Sequence, residues 1–144
     1  MFRQIAALPV QFAVDGSLYL YLVTSRGGGR WIIPKGNPIP GLDAHEVAAQ
    51  EAFEEAGLVG RVMPLCVGTF EFDRARRIAE GKCIVDVYPM IVERQVRKFD
   101  EKRQRRVLRC DLETALSLVT LQTLAALIDR YGRHSGSVRR AGKK

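Results

Sequence analysis

GNPIPGLDAHEVAAQEAFEEAGL, running from Gly36 to Leu58, is the stretch whose reading decides the fold. Its three glutamates Glu51, Glu54 and Glu55 stand at i, i+3 and i+4, within an arc of about 100° on a helix. Residues 36–60 contain no Lys or Arg, so these carboxylates repel one another with no local cation to relieve them. A hard divalent ion is the simplest neutraliser, the alternative being a solvated acidic face. Asp43 suits the helix N-terminus and Gly57 its C-terminal stop. Ala49, Ala52, Phe53 and Ala56 form an apolar arc for docking on a sheet, which predicts a helix over 44–56 with one face packed and another acidic.

The flanks sharpen this reading. Trp31-Ile32-Ile33-Pro34-Lys35-Gly36 leads into the helix and Gly57-Leu58 closes it. The stretch resembles the box of the Nudix hydrolase family, G-x5-E-x7-R-E-U-x-E-E-x-G-U, where U is aliphatic. Gly36 takes the first glycine, Glu51 the glutamate of the R-E pair, Glu54 and Glu55 the E-E pair, Gly57 the last glycine and Leu58 the final aliphatic. Ala52 is a small residue at the first aliphatic position, Leu42 replaces the first glutamate and Gln50 replaces the arginine. In the family those last two residues mainly brace the loop and helix, and losing both leaves neither as an unpaired buried charge.

The resemblance implies an α/β fold, the Nudix-type α/β/α sandwich with a mixed sheet. It also implies hydrolysis of a phosphoanhydride with Mg²⁺ (or Mn²⁺) held by Gly36, Glu51, Glu54 and Glu55. Glu51 and Glu55 are one turn apart and can share an ion; Glu54 could hold a second ion or act as the base. Phe99-Asp100-Glu101-Lys102-Arg103-Gln104-Arg105 is similar to the W-P-E-x-x-x-R stretch of diphosphoinositol polyphosphate and diadenosine polyphosphate hydrolases in this family. That makes Glu101 the first candidate base outside the box, with Glu54 the alternative. The catalytic set is thus Glu54, Glu55 and Glu101, with Arg26, Arg30, Lys35, Arg103 and Arg105 as candidate phosphate ligands. Arg105 could equally brace Glu101.

Charge supports an anionic substrate. The chain has 23 Lys plus Arg and 16 Asp plus Glu, a net charge of +7 over 144 residues. Five of the acids lie within residues 36–60, so the remainder carries 23 basic against 11 acidic residues, or +12. An acidic helix in a basic body suits a metal-assisted phosphate enzyme. A dinucleoside polyphosphate or an inositol pyrophosphate-like molecule is the favoured substrate. The alternatives are a weak or inactive ligand-sensing module, an RNA 5′-end pyrophosphohydrolase, or a nucleic-acid binder using the basic run at 97–109. Aromatic residues are sparse in that run, which disfavours a stacking platform. The sequence leaves the oligomeric state open.

No apolar run approaches a membrane span, and the three cysteines, Cys66, Cys83 and Cys110, make neither a zinc pattern nor a disulfide framework. A reducing cytoplasm is the expected compartment. Gln4–Val14 and Leu18–Thr24 read as strands joined at Asp15-Gly16, and Trp31–Ile33 as a short third strand. Val59–Phe72 and Cys83–Glu93 read as further strands linked by residues 73–82; residues 95–109 are ambiguous; Leu112–Leu118 and Leu121–Tyr131 read as helices. The expected organisation is one domain over residues 1–132 and a flexible basic tail over 133–144.

Overall fold

The computed structural model describes residues 2–73 and 81–142. Most of the expected 73–82 connection and the last two residues of the expected tail lie outside the described residues. Among the described residues, eight strands form one mixed sheet: β1 (Phe2–Phe12), β2 (Leu18–Thr24), β3 (Trp31–Ile32), β4 (Lys35–Gly36), β5 (Leu58–Val62), β6 (Gly68–Asp73), β7 (Lys82–Gln95) and β8 (Val107–Asp111). Three helices lie among the described residues: α1 (Ala44–Ala56), α2 (Leu112–Leu118) and α3 (Gln122–Gly142). Helix α1 packs on β1 and β5, α2 on β2, and α3 on β6. This is the mixed-sheet α/β architecture that the sequence implied.

Strand β1 is the spine. Ile5, Ala6, Ala7, Leu8 and Val10 are all buried, so the strand is covered on both faces and reads as a continuous apolar run. It runs parallel to β7 from Phe2↔Cys83 to Val10↔Ile91, and antiparallel to β2. It also pairs with β4, matching Ile5 to Gly36 and Ala6 to Lys35, while the Ala7 amide donates to the Pro34 carbonyl at 3.0 Å. The lead-in to the acidic helix is therefore zipped onto a strand covered on both faces.

Several boundaries differ from the sequence reading. The expected strand at Val59–Phe72 is two strands, β5 and β6, both antiparallel to β7. Pro64 lies in the intervening segment, where it cannot donate to a ladder. The first strand is Phe2–Phe12, two residues earlier than expected, and the loop after Pro34 contains the short β4. The ambiguous residues 95–109 comprise the end of β7, a turn and most of β8. The last helix continues to Gly142 instead of ending at Tyr131, carrying helical backbone through most of the expected tail.

Helix α1 keeps its expected limits but turns its apolar side differently. Val47, Ala48, Ala52 and Ala56 are buried, Ala49 is half-buried, and Phe53 is 42% exposed. At about 100° per residue, Glu55 falls in the middle of this buried arc. The docking face and the acidic face overlap, so Glu55 is carried into the interior. The helix opens with the Glu46 carboxylate accepting from the Asp43 amide at 2.8 Å. It closes at Gly57, whose φ of 68° is left-handed and whose amide donates to Ala52 and Phe53 carbonyls.

A Cβ on Gly57 would lie 2.8 Å from the Val96 carbonyl oxygen and against the Phe99 ring. Gly57→Ala is therefore expected to cost about 1–3 kcal/mol by urea denaturation. A neutral effect would show that the cap and the Phe99 turn relax freely.

Candidate functional site

Two local structures converge at the exposed edge of α1. The first is β4, which brings Lys35 and Gly36 against the helix. A Cβ on Gly36 would collide with the Glu51 carboxylate, with Oε2 at 2.8 Å, so the bare backbone is what lets this carboxylate lie where it does. The second is the turn after β7. The Val96 amide donates to the Gly57 carbonyl at 2.8 Å, and the Glu101 amide donates to the Glu54 carbonyl at 3.0 Å. These bonds hang the turn on the C-terminal end of α1 and bring Glu101 and Arg105 to the acidic cluster.

The result is a cavity of about 770 Å³, within the usual range for small-molecule sites. Lys35, Gly36, Glu51, Glu54, Glu55, Glu101, Arg105 and Arg26 all line it. Arg30 instead lines an adjoining cavity of about 460 Å³ that shares Gln4, Ser25, Ile32, Lys35 and Asn37 with the first. Arg103 is exposed on the turn and lines neither cavity. Sequence reading missed Gln4, whose amide oxygen accepts from Lys35 Nζ at 2.9 Å and whose amide nitrogen donates to Asn37 at 3.2 Å. The available signal was a polar amide at the head of the apolar run from Ile5 to Val10.

Electrostatics follow from burial. Glu55 is 2% exposed, and its Oε1 makes no hydrogen bond although it is buried. Arg105 Nη1 stands 3.7 Å from it. Burial pushes the Glu55 carboxyl up to about 8; Arg105 opposes this, while the hydrogen bond and charge of Glu51 reinforce it. Glu51 is also held above its ordinary range, by burial first and by the charges of Glu54 and Glu101, with its hydrogen bond to Glu55 opposing. The hydrogen bond between the two carboxyls needs a proton on one of them, because two adjoining carboxylates cannot both ionise cheaply. Glu101 differs: burial raises it, but hydrogen bonds and charge from Arg105 and Arg26 leave it below the ordinary range. Burial lowers Lys35, against the attraction of Glu55.

Among the described residues, no three carboxylate, imidazole or thiol groups already enclose a metal position. The donor chemistry nevertheless fits Mg²⁺, which is usually bound by one or two carboxylates and keeps several waters. Glu51 and Glu55 supply that pair, one oxygen of Glu55 lacks a hydrogen bond, and the bare Gly36 backbone lies beside them. Gln50 donates to Glu54 Oε1 at 3.0 Å, so the residue at the box arginine position holds an acid of the cluster as a neutral donor.

No protein-family model matches the chain, and no curated protein matches it by sequence. Solved structures do match in fold. An Ap4A hydrolase from C. elegans, solved as a binary complex, has a TM-score of 0.67 at 18% identity, covering 99% of each chain. A Nudix hydrolase from Nitrosomonas europaea has a TM-score of 0.70 at 14% identity, over 93% of this chain and 90% of the other. The E. coli dihydroneopterin triphosphate pyrophosphohydrolase has a TM-score of 0.65 at 18% identity, over 92% and 95%. The chain has the Nudix fold.

The raised Glu55 carboxyl sets a pH dependence. The unfolded chain releases this proton near 4.5, whereas the folded chain keeps it to about 8. The associated stability is thus fully present below about 4.5 and lost as pH rises through about 8. In metal-free protein, Glu55→Gln keeps this position neutral and is expected to be more stable than wild type above pH 8, the two converging near pH 4.5. Parallel urea-denaturation curves across that range would contradict the assignment.

Proposed function

We propose that this chain is a divalent-metal-dependent pyrophosphohydrolase that cleaves a phosphoanhydride bond in a small, phosphate-rich molecule. The observation that carries this reading is the pair of the half-buried Glu51 and the buried Glu55 beside Gly36, on a cavity that Lys35 and Arg26 also line. The Nudix fold, shared with solved pyrophosphohydrolases, supports it. A dinucleoside polyphosphate or an inositol pyrophosphate-like compound is the favoured substrate. Supporting this are the likeness of residues 99–105 to the polyphosphate-hydrolase stretch and the end-to-end overlap with the Ap4A hydrolase fold.

In this reading Glu51, Glu55 and the Gly36 carbonyl hold Mg²⁺ or Mn²⁺, with Glu54 beside them. When bound, the ion neutralises phosphate oxygens and acidifies its water. The chain's own groups do the rest. Lys35, whose Nζ donates to Gln4, lines the cavity and would offer its positive charge to a phosphate oxygen. Arg26, 71% exposed with one contact to Glu101 at 3.3 Å, can turn its fork toward a phosphate. Glu54 is the favoured proton acceptor. Glu101 is engaged by two guanidiniums and kept below the ordinary carboxylate range, which weakens it as a base. A compartment without membrane insertion is consistent with the absence of any described helix long and apolar enough to cross a bilayer.

A second reading is a ligand-sensing module. It is favoured by Gln50, which binds Glu54 as a neutral donor where the box carries an arginine, with Leu42 at the paired position.

The test is phosphate or pyrophosphate release from diadenosine polyphosphates, inositol pyrophosphates, nucleoside triphosphates, nucleotide sugars and 5′-triphosphorylated RNA, with Mg²⁺ or Mn²⁺. Release is expected from a polyphosphate-chain substrate, and Glu55→Gln should reduce it by at least about 100-fold, a loss of roughly 3 kcal/mol in transition-state stabilisation, with the fold retained. Normal turnover in Glu55→Gln would remove the metal-site assignment. Ligand binding with no release would favour the sensing module.

A further inference from the structure

We propose that Arg105 is the built-in counter-cation of the carboxylate site, a positioning residue and not a substrate ligand. The proposal rests on reading this cluster as the functional centre. Its premise is the charge pattern of the chain: residues 36–60 supply no cation to their own glutamates. Gln50, the residue placed to do so on α1, is exposed and neutral. A buried carboxylate must be paired, hydrogen-bonded or protonated. Compensation must therefore come from elsewhere in the chain.

Arg105 is built for this role. Its side chain is 9% exposed. Its Nε donates to Glu101 Oε1 at 2.8 Å, its Nη1 donates to the Thr24 carbonyl at 3.1 Å, and Nη1 stands 3.7 Å from Glu55 Oε1. The Thr24 carbonyl belongs to a buried strand residue, so it is a fixed anchor. Thr24 and Arg106 lock that strand to the turn: the Thr24 amide donates to the Arg106 carbonyl at 3.0 Å, and the Arg106 amide donates to Thr24 Oγ1 at 2.9 Å. A guanidinium has five donors in a rigid fork, and here that fork is spread over two carboxylates and a main-chain oxygen. The contrast is Arg26, which meets the same Glu101 oxygen from a largely exposed side chain. Arg26 can leave for a phosphate; Arg105 would have to abandon three partners in the interior. One cation thus holds the Glu101 turn and the α1 carboxylates in register.

The test is a thermodynamic cycle on metal-free protein, in chelator at pH 8.5, read by thermal unfolding. R105Q is expected to lower Tm by about 5–10 °C in the wild-type background, as loss of one partner from a buried pair should. In the Glu55→Gln/Glu101→Gln background the same change should cost less than half as much, because the charges it serves are gone. R105K, which keeps the charge but not the fork, should recover part of the loss; it also carries the cycle if R105Q does not fold. Adding Mg²⁺ to wild type and R105Q should narrow the gap between them as the ion takes over compensation. An equal Tm cost in both backgrounds would reduce Arg105 to a packing role and overturn the proposal. So would an unchanged Tm, or an R105Q protein whose only defect is a raised KM for diadenosine tetraphosphate. If Mg²⁺ leaves the wild-type Tm unmoved while the cycle gives the expected coupling, the metal reading fails and the counter-cation stands.

Discussion

The structure depends on one constraint: Glu55 lies inside the arc by which α1 packs on the sheet. Val47, Ala48, Ala52 and Ala56 bring the helix against β1 and β5, and Glu55 is carried into the same interior. A carboxylate there cannot be solvated, so burial raises its pKa, Glu51 hydrogen-bonds to it and Arg105 approaches it. Three small alanines at successive turns allow the close approach that creates the problem. The bare backbone of Gly36 and a distant arginine are what the rest of the chain supplies to meet it. Fold and site are not separable at this helix, because the packing that stabilises α1 also strains its charge.

Around that point the sheet acts as a positioning device. β1 holds β4, and β4 holds Lys35 and Gly36 at the helix. The end of β7 leads into a turn whose amides cap the C-terminal end of α1 and deliver Glu101. The cations are then graded by exposure. Arg26 is largely exposed, Lys35 is half-buried and tethered to Gln4 and lies 4.6 Å over the Phe72 ring, and Arg105 is enclosed. An acidic floor with cationic walls of increasing freedom suits a molecule rich in phosphate.

Much of this was legible in the sequence, for identifiable reasons. Helix α1 was readable to its exact ends because Asp43 and Gly57 are strong boundary residues and the glutamates sit at helical spacing. The convergence of Glu51 and Glu55 followed from that spacing alone. What was not legible depended on tertiary contact. The apolar arc was misjudged at Phe53, since periodicity gives a face but not its rotation toward the sheet. The basic segment 95–109 had no dominant period because it serves as a strand end, a turn and an edge strand in succession. Arg105 was visible as a charge near Glu101. Its burial against Glu55 and Thr24 comes only from the pairing of β2 with β8, which aligns Val23 with Val107.

The central claim is that the Glu51–Glu55 pair and the Gly36 backbone form a divalent-cation site. Crystals grown with Mn²⁺ and measured at the manganese absorption edge test it directly. The account predicts an anomalous peak in the corner formed by Glu51, Glu55 and Gly36. Crystals that bind Mn²⁺ elsewhere, with no peak at that corner, would contradict it.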